Sequence, residues 1–165
     1  MILIIESILL CGLFTLMIIP RLYRNPIDLI MSYPTKIRKR VEELPEYKDV
    51  IKTKEKKQTI LKFCMVLIYI IIFTVISYFS GARTFLSAFI HTFILFLIVN
   101  IYDLVILDII LFCNSKKVII KGTEDMIKEY KSPIHHIKGA LLGICFGTIV
   151  AVMTGILMSL INKIY

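Results

Sequence analysis

The sequence predicts an all-α integral membrane protein, a four-helix bundle with short amphipathic helices on its cytoplasmic side. Two observations favour this fold class. Apolar residues make up 58% of the chain and charged residues 19%, whereas a soluble domain contains about 45–50% and about 25% of these classes. The charges are also crowded into two blocks, which leaves four long stretches almost free of them. This pattern excludes a soluble globular domain, a disordered chain and a disulfide-rich secreted module.

Hydropathy places four spans, at about residues 2–19, 60–79, 85–113 and 137–161, in a single membrane domain over residues 1–165. Each is long enough, because roughly 20 apolar residues cross a bilayer core of about 30 Å. The first has no basic leader and no small-residue cleavage site, so we expect a retained helix. The third is overlong, so it must tilt, kink or project from the membrane.

The basic residues indicate the orientation. Almost all of them lie in two long loops, at about residues 20–59 and 114–136, whereas the hairpin of residues 80–84 contributes only Arg83. By the positive-inside rule both loops are cytoplasmic and both termini lie outside. The net charge of +8 then indicates contact with anionic inner-leaflet lipids rather than with nucleic acid. We expect a multi-pass protein of the bacterial inner membrane, and heavy use of Ile and Lys is consistent with an AT-rich bacterial genome without being specific to one.

Both loops contain structural signals and no low-complexity linker. Prolines 26, 34 and 45 divide the first loop into short helices. In the second of these, Ile37, Val41 and Leu44 recur at helical spacing, and we expect this stripe to lie on the inner leaflet. The alternative is a helix packed on its protein neighbours. In the second loop, Thr123 is a candidate N-cap for a helix that Pro133 ends.

Small residues recur at every fourth position of the last span and form what we call the small-residue face: Gly139, Gly143, Gly147, Ala151, Gly155 and Ser159. Such a face lets two backbones approach closely, which drives helix association in lipid, where apolar burial alone does not. We therefore expect a close helix crossing. The neighbouring helix belongs either to the same bundle or to a membrane partner such as a second copy of the chain.

Polar side chains inside the third span indicate a site, because ionisable residues are costly in a membrane and mark function or a paired partner. Asn100, Asp103 and Asp108 share one face of the helix, and His91 lies on the opposite side. We expect the two aspartates to open onto a wet cytoplasmic pocket. The candidate ligand-binding residues are Asn100, Asp103, Asp108, Glu124, Asp125, His135 and His136. Glu6, near the outer end of the first span, is expected to reach water.

The pocket has three candidate uses. A divalent metal could be held by Asp103, Asp108, His135 and His136. Asp103 and Asp108 are also candidates for acid and base catalysis on a lipid head group, or for proton relay. Alternatively, the aspartates pair with loop lysines, Glu124 and Asp125 only begin a helix, and the histidines are interfacial. Phosphate-loop, metalloprotease and nucleophile-elbow motifs are absent from the sequence.

The segments NIYDLVILDIILF and IIKGTEDMIKEYKSPIHH, with NPIDLIMSYPTKIRKR, resemble a group of small uncharacterised multi-span bacterial membrane proteins. This resemblance implies a multi-pass membrane protein and attaches no activity and no site residue. Three functions therefore stay open. The first is a membrane protein whose pocket binds a polar ligand, a metal or a lipid head group. The others are a small oligomeric transporter or proton-coupled carrier, and a non-catalytic assembly or regulatory subunit.

Overall fold

The structure, a computed structural model, describes residues 2–164, and within them the side chains of all except residues 52, 54–60, 62 and 63. Regular structure in this part of the chain is helical, with no strand, so the all-α prediction is confirmed for it. The α-helices are α1 (Ile2–Arg24), α2 (Thr35–Glu43), α3 (Lys48–Phe79), α4 (Phe85–Tyr102), α5 (Ile127–Tyr130) and α6 (Ile134–Ile164). Short 3-10 helices cover Pro26–Ser32 and Lys116–Val118.

Three stretches of the described chain are long and apolar enough to cross a membrane: α1, the continuous helix Phe85–Phe112, and Ile127–Ile164, which contains α6. These support the prediction of a membrane protein. The predicted second span forms the second half of α3, of which the apolar stretch Cys64–Phe79 falls short of spanning length on the residues described. A bundle of four spans is therefore not established by these helices.

The overlong third span changes helix type part-way along. From Asp103 to Phe112 it is π-helical, and the last such bond joins the Cys113 amide to the Asp108 carbonyl at 2.9 Å. Because π geometry places more residues in each turn, the helix is shorter than an α-helix of equal residue count. The length of this span predicts that it tilts, kinks or projects from the membrane, and a change of helix type was not among these expectations. A run of Ile, Leu and Val carries no sequence signal that distinguishes π from α geometry.

The two long loops fold together into a compact unit at one end of the helices, which we call the loop layer (residues 25–47 and 113–133). Its core is one cluster of buried apolar side chains that includes Ile30, Ile37, Val41, Val118 and Tyr130. Ile37 and Val41 are fully buried in it. The prediction that the α2 stripe lies on lipid is therefore wrong, since the second loop covers the stripe with protein.

The small-residue face of α6 packs along α4. A Cβ at Gly143 would overlap the Asn100 amide, one at Gly147 would overlap the Phe96 ring, and one at Gly155 would meet the Phe85 backbone. Further along the face, Ala151 is fully buried. The close neighbour from Gly143 to Gly155 is thus a helix of the same chain, as one of the two predicted alternatives states. At Gly139 a Cβ would meet open space.

A tight hairpin joins α3 to α4 at the end opposite the loop layer, which we call the hairpin end. Gly81 has a φ of +80° there, a conformation that glycine adopts without steric cost. Thr84 and Ser87 then form a reciprocal capping box that begins α4. The starts of α3 and α6 and the end of the π-helical segment therefore lie beside the loop layer.

Candidate functional site

A cavity of about 350 Å³, the first cavity, lies where the membrane helices meet the loop layer. Three polar residues of the third span line it: Asn100, Asp103 and Asp108. His135 and His136, from the first turn of α6, line it from another side. The structure therefore brings together five of the seven residues predicted from the sequence as ligand-binding. The π-helical segment presents Asp103 and Asp108 to the same cavity.

Asp108 is held by His136. The Asp108 Oδ1 atom lies 3.0 Å from His136 Nδ1, and the histidine side chain is only 4% exposed. The ring also packs edge-on against Phe112, with centroids 4.9 Å apart. The second ring nitrogen, Nε2, is buried without a hydrogen-bond partner among the described residues. A buried polar atom without a partner costs free energy, so a polar group that reached this nitrogen would stabilise the protein.

Asp103 has no protein partner. Within the described part of the chain, no hydrogen bond or ion pair joins its carboxylate to another side chain. A carboxylate taken out of water is costly unless it is paired or hydrogen-bonded. Asp103 also lies between two cavities, since it lines the first and the second described below. The carboxylate is therefore the group at this site with unused binding capacity.

Asn100 positions α6 against α4. Its Nδ2 atom donates a hydrogen bond to the Ala140 carbonyl at 3.0 Å. Its side-chain oxygen lies against Gly143, where only a glycine leaves enough space. Asn100 thus joins α4 to α6 beside the two aspartates, and its amide is partly used by the protein.

A second, apolar cavity of about 400 Å³ adjoins the first. Leu10, Leu13 and Met17 of α1 line it, opposite Ile72 and Phe73 of α3. Four residues line both cavities: Phe14, Asn100, Asp103 and Gly139. The two spaces are therefore adjacent, and Asp103 is one of the residues at their shared boundary. Each has the size of a small-molecule site, since such sites occupy about 300–1,000 Å³.

The walls of the first cavity are acidic and aromatic. Tyr23, Tyr33, Phe14 and Phe112 contribute rings to it, and no Lys or Arg is among its described lining residues. The Lys117 ammonium lies over the ring of Tyr23 at 5.2 Å from its centroid, so one of these rings already contacts a cation. Aromatic faces and carboxylates both attract cations.

Glu124 and Asp125, also predicted as ligand-binding, are not part of the cavity. Both side chains are exposed, and Glu124 accepts a hydrogen bond from the Gly122 amide at 2.8 Å. The prediction of Thr123 as an N-cap is wrong, because α5 begins only at Ile127. Instead Thr123 is buried, and its hydroxyl lies 2.7 Å from that of Tyr130. The turn at Gly122 directs the two acids into solvent.

The predicted metal site receives no support from the geometry. No group of three or more His, Cys, Asp or Glu side chains in the described residues is arranged to hold a metal ion. Asp103, Asp108, His135 and His136 line one cavity, but Asp108 and His136 bind each other rather than converging on a common point. The predicted alternative, that loop lysines neutralise the aspartates, is not observed among these residues either.

A second polar network lies at the hairpin end, and sequence reasoning missed it. Glu6 of α1 binds His91 of α4, with Oε2 and Nε2 2.9 Å apart, and it also accepts a hydrogen bond from Ser80. On its other side His91 Nδ1 lies 3.4 Å from the Ser77 hydroxyl. Glu6 was expected only to reach water; its side chain is 17% exposed, and these donors bind its carboxylate within the protein as well. Two ionisable residues near the same end of their spans were the available signal.

No family model, curated protein or solved structure matches this chain. The resemblance to small multi-span bacterial membrane proteins therefore stays a prediction, and the functional argument rests on the site alone.

Proposed function

We propose that the chain is a four-span protein of the bacterial cytoplasmic membrane, with the loop layer in the cytoplasm and both termini outside. The second half of α3 supplies the fourth span. Its side chains from Ile70 to Ile76 pack in the same apolar cluster as α4 and α6, which supports a position at membrane depth. The basic residues gathered in the two loops support the orientation.

The function that we propose is reversible binding of an ammonium group in the first cavity. The observation that carries the proposal is the Asp103 carboxylate, which lines the cavity and has no hydrogen bond or ion pair to another side chain in the described part of the chain. Asp108, which His136 binds, is a second carboxylate nearby, and the described lining residues include no Lys or Arg. A cation completes this site, whereas a phosphate would face two carboxylates. The aromatic walls favour a quaternary or primary ammonium.

The other functions predicted from the sequence have less support. The small-residue face, on which the assembly-subunit hypothesis depends, is occupied by α4 over most of its length. The carrier hypothesis has one favourable observation, the Glu6–His91 pair at the opposite end of the helices from Asp103. A carrier would also need a route between these two sites, and large apolar side chains such as Phe96 and Leu95 lie between them on α4.

The proposal is tested by ligand-induced stabilisation of the protein in lipid nanodiscs, with tetramethylammonium as the probe and sodium at equal ionic strength as the reference. A ligand that binds the folded state alone raises the apparent unfolding temperature by mass action. We expect a saturable rise in the wild-type protein and its loss in Asp103→Asn. Glu124→Gln is the matched control, since it removes an exposed carboxylate outside the cavity and should keep the rise.

The orientation is tested with the same probe, because a permanently charged ammonium ion does not cross lipid. In sealed vesicles, heat protection should appear when the probe is on the cytoplasmic side and be absent when it is only outside. An equal rise in Asp103→Asn and the wild-type protein would overturn the proposed site. Protection from the outside alone would reverse the orientation and leave the site in place.

A further inference from the structure

The second cavity extends the site from the loop layer into the membrane. Its walls are almost wholly apolar, with Leu10 and Phe14 of α1 facing Ile72 and Phe73 of α3 and Phe146 of α6. A void of this kind does not hold water well, because water needs two or more polar partners. Its polar groups are at the boundary with the first cavity, where Asn100 and Asp103 lie.

The second cavity also reaches the lipid-facing surface. Three residues line it and are partly exposed on the outside of the bundle: Leu13 at 58%, Met17 at 48% and Ile72 at 41%. α1 packs chiefly on α4 and on the Pro26–Ser32 helix. The space between α1 and α3 is therefore left for the cavity, and a membrane-dissolved molecule can enter sideways at this point.

From this geometry we infer that the ligand is a cationic amphiphile, with its ammonium group at Asp103 in the first cavity and its apolar chain in the second. The inference rests on the proposed function and names its substrate class. It is the occupant that fits both spaces, because Asp103 lines both of them and no other described side chain forms a hydrogen bond or ion pair with its carboxylate. An anionic amphiphile would fill the apolar cavity equally well, but its head group would lie against Asp103 and Asp108.

His136 adds an independent reason to expect a ligand here. Its side chain is 4% exposed, it lines the first cavity, and its Nε2 atom has no partner among the described residues. Asp108 fixes the orientation of the ring through Nδ1. The residue thus lines the head-group space with one nitrogen unpaired and buried, and a shift of the ring would expose that nitrogen to a bound polar group.

The inference is tested with an alkylammonium probe that carries a diazirine near the end of its chain, added to the protein in lipid nanodiscs. After photolysis, labelled peptides are identified by mass spectrometry. We expect labels on α1 and α3 residues that line the second cavity, and competition by excess dodecyltrimethylammonium but not by dodecyl sulfate. Labels confined to lipid-facing residues such as Ile8 and Leu16 would overturn the inference.

Two adjacent substitutions on α1 distinguish occupation of the cavity from contact with lipid. Leu10→Trp fills the second cavity, whereas Leu9→Trp places the same ring on the exposed side of the helix. We expect Leu10→Trp to lower labelling by about tenfold, the factor given by about 1.4 kcal/mol of lost binding free energy. Leu9→Trp should leave it unchanged. Val99→Phe fills the same cavity from α4 and replaces Leu10→Trp if that variant does not fold.

Tetramethylammonium binding tests the head-group site and photolabelling tests the chain site, so the two measurements distinguish failure of the inference from failure of the proposed function. If tetramethylammonium stabilises the wild-type protein and Leu10→Trp labels normally, the head-group site stands and the chain site is wrong. If Asp103→Asn abolishes neither tetramethylammonium binding nor labelling, the proposed function fails. Equal competition by dodecyl sulfate would show an apolar crevice without charge preference, which also overturns the inference.

Discussion

In the loop layer the fully buried side chains are mostly large and apolar, Ile30, Tyr33 and Ile37 among them, whereas along the α4–α6 contact small residues are buried beside larger ones such as Leu95 and Met158. Gly147, Ala151 and Gly155 form that contact. Tyr33 packs edge-on against Phe112 with ring centroids 4.8 Å apart, as in the core of a soluble domain. At the hairpin end of the membrane helices, side-chain hydrogen bonds connect neighbouring helices, such as the one between Ser77 of α3 and Thr92 of α4 at 3.2 Å.

This difference follows from the two solvents. A loop that faces water gains free energy by burying Ile and Tyr, but a helix in lipid gains little by exchanging lipid contacts for protein ones. In the membrane part, close backbone approach and polar pairs must hold the helices together. The first cavity lies at the boundary between the two regimes. Its rings come partly from the loop layer and its carboxylates from the membrane helix.

The largest effect is expected when the same substitution is made in both regions. Ile37→Ala empties a fully buried site in the loop layer and should lower the free energy of unfolding by about 2–5 kcal/mol. Ile71→Ala, on a helix face where that isoleucine is 62% exposed, should change it by less than about 0.5 kcal/mol. Denaturant titration in mixed micelles measures both. Equal losses would show that the loop layer does not have a core of the soluble type.

Smaller changes in stability are expected from adding a methyl group at two glycines of α6, and the two changes should have opposite signs. At Gly147 the added Cβ would lie 2.8 Å from Cγ of Phe96. That ring cannot move aside, because it packs against Tyr69 and Phe146. Gly147→Ala should therefore destabilise by about 1–3 kcal/mol.

Gly139→Ala is the matched control on the same helix. Its Cβ meets open space, so the higher helix propensity of alanine should stabilise the protein by up to about 1 kcal/mol. Thermal unfolding of the two variants in one detergent gives the comparison. A stabilised Gly147→Ala would mean that the α4–α6 contact is looser than the structure has it.

A helical membrane protein was predictable because long apolar stretches are evident in the sequence, although the count of four spans is not established. The shared face of Asn100, Asp103 and Asp108 was predictable because polar residues are conspicuous in an apolar run. The partner of an amphipathic stripe was not. The spacing of Ile37 and Val41 is the same whether lipid or protein covers it. Whether lipid or protein covers the stripe depends on the position of residues far along the chain, such as Val118. Helical periodicity carries no information about that position.

Two features of the site also lay outside the reach of the sequence. Nothing in the residues from Asp103 to Phe112 distinguishes a π-helix from an α-helix, yet the helix type decides where each aspartate is directed. The predicted metal set gains no support from the described residues for a related reason. Residue types suited to a metal were present, but Asp108 and His136 satisfy each other, and pairing of this kind depends on distances that residue spacing does not give.

The smallest effect at neutral pH is expected from Tyr33→Phe, and it grows as the pH rises. The Tyr33 hydroxyl donates a buried hydrogen bond to the Val118 carbonyl at 3.0 Å, so its loss should cost about 1 kcal/mol. Burial, with the nearby Tyr130, raises the pKa of Tyr33 well above its usual value. Above about pH 10 the unfolded chain therefore loses this proton while the folded protein keeps it, and stability falls with rising pH.

Tyr33→Phe removes the titrating hydroxyl group and with it this pH dependence. Above about pH 10 the free energy of unfolding of the variant should therefore fall less steeply with pH than that of the wild-type protein, by up to about 1.4 kcal/mol per pH unit. Val41→Ala is the control, because it weakens the same buried cluster without changing a titratable group and should lower the curve in parallel. Denaturant titrations from pH 7 to pH 11 give all three curves. Parallel curves for Tyr33→Phe and the wild-type protein would show that Tyr33 is not desolvated, and the loop layer would then lack the dry core that distinguishes it from the membrane helices.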